Sequence, residues 1–338
     1  MRYPEVGDLK AISTLTIAMS ILLAGVAQGA DTGVTVASLA TRADMAPVTW
    51  PRLEMSEDHH LQDGLNAKLE QLGLAAQAQR GRLAVALVDV TVPERPRVAS
   101  VNAHQMMYAA SLPKIAILLG AFQKAHDGAL DMNAETEALL TQMIRRSSNS
   151  AATTMLERVG YSYVADILRS DKYELYDEDM NGGLWVGKPY AKKAVWQRDP
   201  LYNLSHGATP FEVARFYYLL ETGRLVDAKS CARMKEMLGD PAIKHKFVKG
   251  LAMHRPGSVI YRKSGTWSTY HADSAIVERD GRRYIAVAMA NNPAGGHWLS
   301  ELIVALDDLI FDPANIAHDG MAEDHVTPMA PPPRAPAS

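Results

Sequence analysis

Ser111 and Lys114 stand three residues apart in the stretch Ser111-Leu112-Pro113-Lys114. On a helix such a pair shares one face, with Cβ atoms about 5–6 Å apart, so an amine comes within reach of a hydroxyl. That is a nucleophile beside its base. Residues 115–122 are apolar on every side, the pattern of a helix buried in a core. Pro113 belongs in a first turn, where its missing N–H costs nothing. The pair is therefore expected at the N-terminal end of a core helix, where unpaired N–H groups favour a developing oxyanion. By spacing alone, a chance Ser–Lys pair reads the same way.

Two further clusters sharpen the reading. Ser147-Ser148-Asn149 offers a hydroxyl and a carboxamide on a turn between helices, and Lys263-Ser264-Gly265-Thr266 offers a cation and hydroxyls at a strand end. If Lys114 is to take the Ser111 proton it must be neutral, which means lowering its pKa from about 10.4 to about 7–8, near 4 kcal/mol. Burial and a second cation, Lys263, both push that way. Ser147 can pass a proton to a leaving nitrogen, and Asn149 can hold a substrate amide.

In this order and on these elements, the three clusters match an S-x-x-K, S-D-N and K-T-G set. From about residue 61 to residue 312 the chain resembles the penicillin-recognising serine enzymes, and within them the class A β-lactamase-like branch. The resemblance implies Ser111, Lys114 and Ser147 as catalytic residues and Asn149, Lys263, Ser264, Gly265 and Thr266 as substrate-binding ones. It also implies an oxyanion hole from the backbone N–H groups of Ser111 and Thr266. The implied substrate is a small β-lactam, with a D,D-peptidase acting on peptidoglycan stem peptides as the alternative. A third reading, from another class, is a binding protein that docks a cell-wall fragment without turnover.

The chain departs from the family pattern in three places. Ser148 replaces the Asp of the second motif. Ser147 follows Ser111 by only 36 positions, so the helical region is shorter than in the family. The Glu-x-x-x-Asn deacylation motif cannot be placed before Thr209, and Asp199 is the nearest carboxylate that could replace it. Asp199 reads equally well as a loop-structuring residue before Pro200.

The elements that must position these groups read as follows. Leu61, Leu65, Leu69 and Leu72 predict a helix to about Gln79, and residues 83–91 and 98–103 predict an antiparallel hairpin. Helical patterns follow from Ser111 to near Gly128, from Ala134 to Ile144, and from Ala151. Residues 170–209 lack periodicity, as functional loops do. Thr209-Pro210-Phe211-Glu212 is a capping box, which makes Glu212 a cap rather than a base. Three more strands, at 258–263, 272–278 and 284–291, precede an amphipathic helix from Trp298. The expected fold is α+β: an antiparallel sheet flanked by terminal helices, an inserted helical lobe at about 111–222, and the active site between the lobes.

The 338 residues are 47% hydrophobic with a net charge of −3, enough for a sizeable core and without the basic excess of a nucleic-acid binder. A single cysteine, Cys231, excludes an intrachain disulfide. The eleven histidines show no ligand spacing, so neither a metal nor an organic cofactor is expected. His206 and His271 could approach the cleft, though a lone histidine is more often structural. Arg2 and Lys10 before an apolar run at 11–26 read as an export signal at 1–30, which implies a periplasmic or secreted protein. Residues 31–60 are expected as a linker, 61–313 as the folded domain, and 314–338 as a disordered Pro-rich tail. A monomer is expected.

Overall fold

The computed structural model describes residues 50–318 and 326–327. The expected leader at 1–30 lies outside the described residues, as do most of the segment at 31–60 and most of the tail at 314–338. The described parts of those two segments are folded, so the domain is longer than the hydrophobic periodicity suggests. A single 3-10 turn, Leu53–Met55, buries Leu53. Strand β1 (Glu57–Asp58) follows, and Asp58 caps α1 (His59–Gln71) by accepting from Leu61 N at 2.8 Å. The expected single helix to Gln79 breaks at Gly73, whose φ of +67° closes α1 with a Leu74 N to Leu69 O bond before α2 (Ala75–Gln79) begins.

Strands β2 (Leu83–Asp89) and β3 (Arg97–Val101) form the expected antiparallel hairpin. After β4 (Met107–Tyr108) come α3 (Lys114–His126), α4 (Ala134–Arg145), α5 (Asn149–Val159) and α6 (Tyr161–Arg169). The irregular stretch carries only short strands: β5 (Tyr176–Asp177), β6 (Gly182–Gly183), β7 (Trp185–Val186) and β8 (His206–Ala208). Then come α7 (Pro210–Glu221), α8 (Ala228–Leu238), α9 (Phe247–His254), β9 (Val259–Trp267), β10 (Tyr270–Arg279) and β11 (Arg282–Asn291). The described chain ends with α10 (Gly295–Ile310), α11 (Pro313–His318) and β12 (Val326–Thr327). Residues 314–318, expected in the tail, are thus helical, and Asn315 is buried with its Nδ2 donating to Leu309 O at 2.8 Å.

The main sheet has the order β12-β1-β3-β2-β11-β10-β9. It is antiparallel except between β1 and β3, which run parallel. Every residue of β2 is buried, because both sheet faces are covered. Leu83, Val85 and Leu87 join the core made with α1, α9 and α10. Ala84, Ala86 and Val88 join the core shared with the helical region. That second core is continuous from the sheet into the middle of α3, whose residues 114–122 are all buried. Gly120 lets α3 approach its neighbours: a Cβ there would lie 3.0 Å from Val159 and 3.1 Å from Val164.

The helical lobe differs from the expected 111–222 at its far end. Helix α7 starts as expected, with Thr209 Oγ1 accepting from Glu212 N and Pro210 in the first turn. It packs on β2, β10 and β11, with all but two of its residues buried, so it serves the sheet as much as the lobe. Helix α8, beyond residue 222, packs on α4 and β9.

Under the Lys263 end of the sheet, Arg262 and Asp273 form a buried two-bond pair, both contacts at 2.7 Å. Arg262 also donates to the carbonyls of Ile243 and His245, and Asp273 accepts from Phe247 N at 3.1 Å. One ion pair thereby pins the segment before α9 to β9 and β10. Removing one partner of such a pair leaves an uncompensated buried charge, so Asp273→Ala should cost about 3–5 kcal/mol. Denaturant unfolding measures this, and a loss below about 1 kcal/mol would be the value of a surface pair instead.

Candidate active site

Ser111 lies in the turn before α3, and Lys114 is the first helical residue. The turn is tight: Leu112 N bonds Ala109 O at 3.0 Å and Ala116 N bonds Pro113 O at 2.9 Å. Ala110, just before Ser111, has a φ of +51°, a strained value for a residue with a Cβ. Two neighbours hold the turn. Ala109 N donates to His206 O at 2.9 Å, and Gly265 of β9 packs so closely that a Cβ there would lie 2.0 Å from Ala109 O and 2.9 Å from Ser111 N. Neither the N–H nor the hydroxyl of Ser111 has a hydrogen-bond partner among the described residues.

The expected contact between Lys114 and Ser111 is not formed. Ser111 is off the helix, so the regular face-sharing of residues three apart does not apply. Lys114 Nζ donates to Ser147 O and Asn149 Oδ1, both at 2.7 Å, and approaches Ser147 Oγ at 3.3 Å. Lys263 Nζ reaches the same hydroxyl from the sheet at 3.0 Å and also donates to Ser264 O at 2.7 Å. Ser147 sits at a φ of +54° between α4 and α5, and Ser148 caps α5 by accepting from Ala151 N at 3.2 Å. The capping hydroxyl explains how Ser148 stands where the family pattern has Asp.

Both amines are buried, and burial lowers both pKa values. Lys114 falls to about 7. Lys263 is driven well below its ordinary value by burial first, then by the neighbouring cations Lys114 and Arg262. Lys114 is therefore substantially neutral near pH 7, as a base for Ser111 must be.

A third buried amine, Lys246, escaped the sequence reading. Its Nζ donates to Gly265 O at 2.6 Å, Thr266 Oγ1 at 2.8 Å and Ala272 O at 3.0 Å, and burial lowers its pKa to about 8. Since Lys246 donates to the Thr266 oxygen, the Thr266 hydroxyl keeps its own proton for an acceptor. The motif at 263–266 lies within β9, the edge strand of the sheet, rather than at a strand end.

An aromatic wall, of which only His206 was anticipated from the sequence, closes the other side. Tyr190 packs on His206 with ring centroids 4.3 Å apart, Tyr108 meets His206 at 6.3 Å, and Tyr108 meets Tyr270 across to β10 at 5.5 Å. His206 Nε2 lies 3.0 Å from Lys188 O, which can only accept, so that nitrogen carries the proton. Burial holds the His206 pKa near 4, so the ring is neutral. Neither Tyr190 nor Lys246 has a local signal, since each lies in an aperiodic segment.

Asp199, the candidate deacylation base, is otherwise engaged. It is 2% exposed, and its two oxygens accept from Tyr176 Oη at 2.8 Å, Leu201 N at 3.1 Å, and Tyr202 N and Leu204 N at 3.0 Å each. Its role is to fold the loop, as the residue before a proline often does. Among the described residues no carboxylate forms an ion pair with Lys114, Lys246 or Lys263, and no group of three or more His, Cys, Asp or Glu side chains could hold a metal ion.

A mixed sheet with a helical lobe on one face, and a serine in a tight turn beside buried lysines, is the architecture of serine hydrolases with the β-lactamase fold. The chain belongs to the β-lactamase enzyme family, whose model matches residues 64–137 and 133–312. Solved structures agree on the fold. A β-lactamase from Sphaerobacter thermophilus is 17% identical with a TM-score of 0.58, covering 74% of this chain and 98% of that one. PBP-A is 16% identical with a TM-score of 0.56, covering 78% and 99%. A variant of the reconstructed last common ancestor of Gram-negative class A β-lactamases is 18% identical with a TM-score of 0.57, covering 75% and 99%. No curated protein matches the chain.

If Asp199 organises its loop, Asp199→Asn should lower stability by about 1–3 kcal/mol through lost charge-assisted bonds. Acylation at Ser111 should persist in this variant. Thermal melting together with intact-mass labelling tests both halves.

Proposed function

We propose that the chain is an exported serine acyl-transfer enzyme of the class A β-lactamase type, which takes the acyl group of a β-lactam onto Ser111 and releases it slowly. The observation that carries this reading is the convergence of Lys114 and Lys263 on Ser147 Oγ, next to the turn that presents Ser111. Ser111 Oγ attacks the amide carbonyl, and a side-chain rotation brings the neutral Lys114 amine from Asn149 to take its proton. Ser147, held between two amines, returns a proton to the leaving nitrogen. The N–H groups of Ser111 and Thr266 receive the oxyanion. Lys263, Ser264 and Thr266 take the substrate carboxylate, with Lys246 behind Thr266, while Asn149 and the open edge of β9 align the amide.

Slow release is supported by the bonding of Asp199, which leaves no free carboxylate at the loop to activate water. The same observation favours a second reading, a D,D-peptidase acting on peptidoglycan stem peptides. A variant of PBP-A, a similar fold, has been captured as an acyl-enzyme complex with penicillin G. Export rests on the basic and then apolar residues 1–26.

Ser111→Ala should abolish covalent labelling by benzylpenicillin, seen by intact-mass spectrometry, and labelling that survives would place the nucleophile elsewhere. Lys114→Ala should slow acylation by about 10²–10⁴, and acylation at the parent rate would remove Lys114 as the base. In the parent protein the acylation rate should rise with pH through about 7, as Lys114 loses its proton, and level off above. Stopped-flow turnover should show a burst of about one equivalent before a slow steady state; rapid hydrolysis without a burst would refute slow release.

A further inference from the structure

An acyl group on Ser111 would lie within a side-chain rotation of Lys114, a base, so a durable acyl-serine needs something that keeps water from it. Hydrolysis there needs no carboxylate in principle. Water oxygen attacks the acyl carbon and its proton passes to Lys114 Nζ. The bond from carbon to Ser111 Oγ then breaks, and Oγ recovers that proton as the product acid leaves. The atoms balance with Lys114 alone as the carrier, so the obstacle must be access.

The geometry points to Tyr190. Its ring lies against the Lys114 amine, with Nζ 4.5 Å from the ring centroid. Its hydroxyl donates to Ala110 O, the carbonyl immediately before the nucleophile, at 3.3 Å. Behind it the ring rests on His206, which is fixed in turn by Lys188 O. Ser147, Asn149 and the Tyr190 ring together enclose the Lys114 amine. Tyr190 is thus an apolar surface at the place where water would need both the amine and the acyl carbon.

We propose that Tyr190 is a positioning residue that sets the fate of the acyl-enzyme, its ring excluding hydrolytic water from Lys114 while its hydroxyl holds the strained turn at Ala110. The inference rests on Ser111 acylation as proposed above. Neither aromatic neighbour substitutes as a base. Burial raises the Tyr190 phenol well above its ordinary pKa, so it stays protonated. His206 uses Nε2 on Lys188 O, and its Nδ1 lies 3.3 Å from Ser205 Oγ.

The test compares the full-length parent with Tyr190→Phe and Tyr190→Ala, each acylated with benzylpenicillin, freed of excess reagent, and followed by intact-mass spectrometry. The decay of the Ser111 adduct is read independently of how fast it forms. Tyr190→Phe keeps the ring, and its adduct should last within about threefold of the parent's; Tyr190→Ala should shorten the lifetime at least about tenfold. Its decay should also quicken as pH rises and Lys114 loses its proton, with a midpoint above the parent's because the amine is less buried without the ring. A Tyr190→Ala adduct as durable as the parent's overturns the proposal while leaving acyl transfer at Ser111 intact. A Tyr190→Phe adduct as short-lived as that of Tyr190→Ala also overturns it, because the hydroxyl and not the ring would then be responsible. If the parent forms no adduct at Ser111, the underlying reading fails and this one with it. Should Tyr190→Ala fail to fold, Tyr190→Val, which removes the ring but keeps an apolar side chain, carries the same expectation and the same refutation.

Discussion

Two lysine amines are buried within reach of a single hydroxyl, Ser147 Oγ, and among the described residues no carboxylate pairs with either. Burying an unpaired ammonium is costly, and the group yields by releasing its proton. Lys114 does so near pH 7. The unfolded chain, with a lysine pKa of about 10.4, binds more protons than the folded one between pH about 7 and about 10.4. Stability from this group therefore rises with pH across that window, and below it the protonated amine carries the whole burial cost. The condition that weakens the fold at neutral pH is the one that would supply a base in the proposed acyl transfer.

The rest of the structure keeps those amines dry and in place. Helix α3 carries Lys114 through a core shared by the helical lobe and one face of the sheet, so its first turn cannot shift without disturbing packing on several sides. Strand β9 carries Lys263, and the Arg262–Asp273 pair locks that strand to the segment bearing Lys246. Ala110 and Ser147, on either side of the cleft, both hold positive φ. Gly265 allows β9 to lie against the Ser111 turn, an approach that any side chain would prevent.

The loop between β7 and β8 carries Asp199 and Tyr190. Its carboxylate, Asp199, is consumed by backbone and tyrosine donors, and an aromatic side chain faces the amine from that loop. A carboxylate satisfied by four donors is a fastener. The loop holds Tyr190, and β8 holds His206, against the Ser111 turn: the Tyr190 hydroxyl donates to Ala110 O, and His206 O accepts from Ala109 N.

Much of this was legible from residue order. The apolar run of α3, the hairpin of β2 and β3, and the capped start of α7 at Thr209 are set by neighbours a few residues apart, so their periods and caps can be read locally. The three motif clusters could be assigned to a helix start, a turn between helices and a strand, although Ser111 lies just off the helix and residues 263–266 lie within the strand rather than at its end. What local order could not decide was partnership. Whether Lys114 would face Ser111 or the 33-residue-distant Ser147, whether Asp199 would be free or saturated, and whether Tyr190 and Lys246 would enter the site depend on contacts between segments far apart in the chain. Such contacts form only when the lobe closes on the sheet, because burial then forces each polar group to find a partner among whatever the packing has brought near. Residue types and their spacing determined which chemistry was available; tertiary packing decided which groups were left free to perform it.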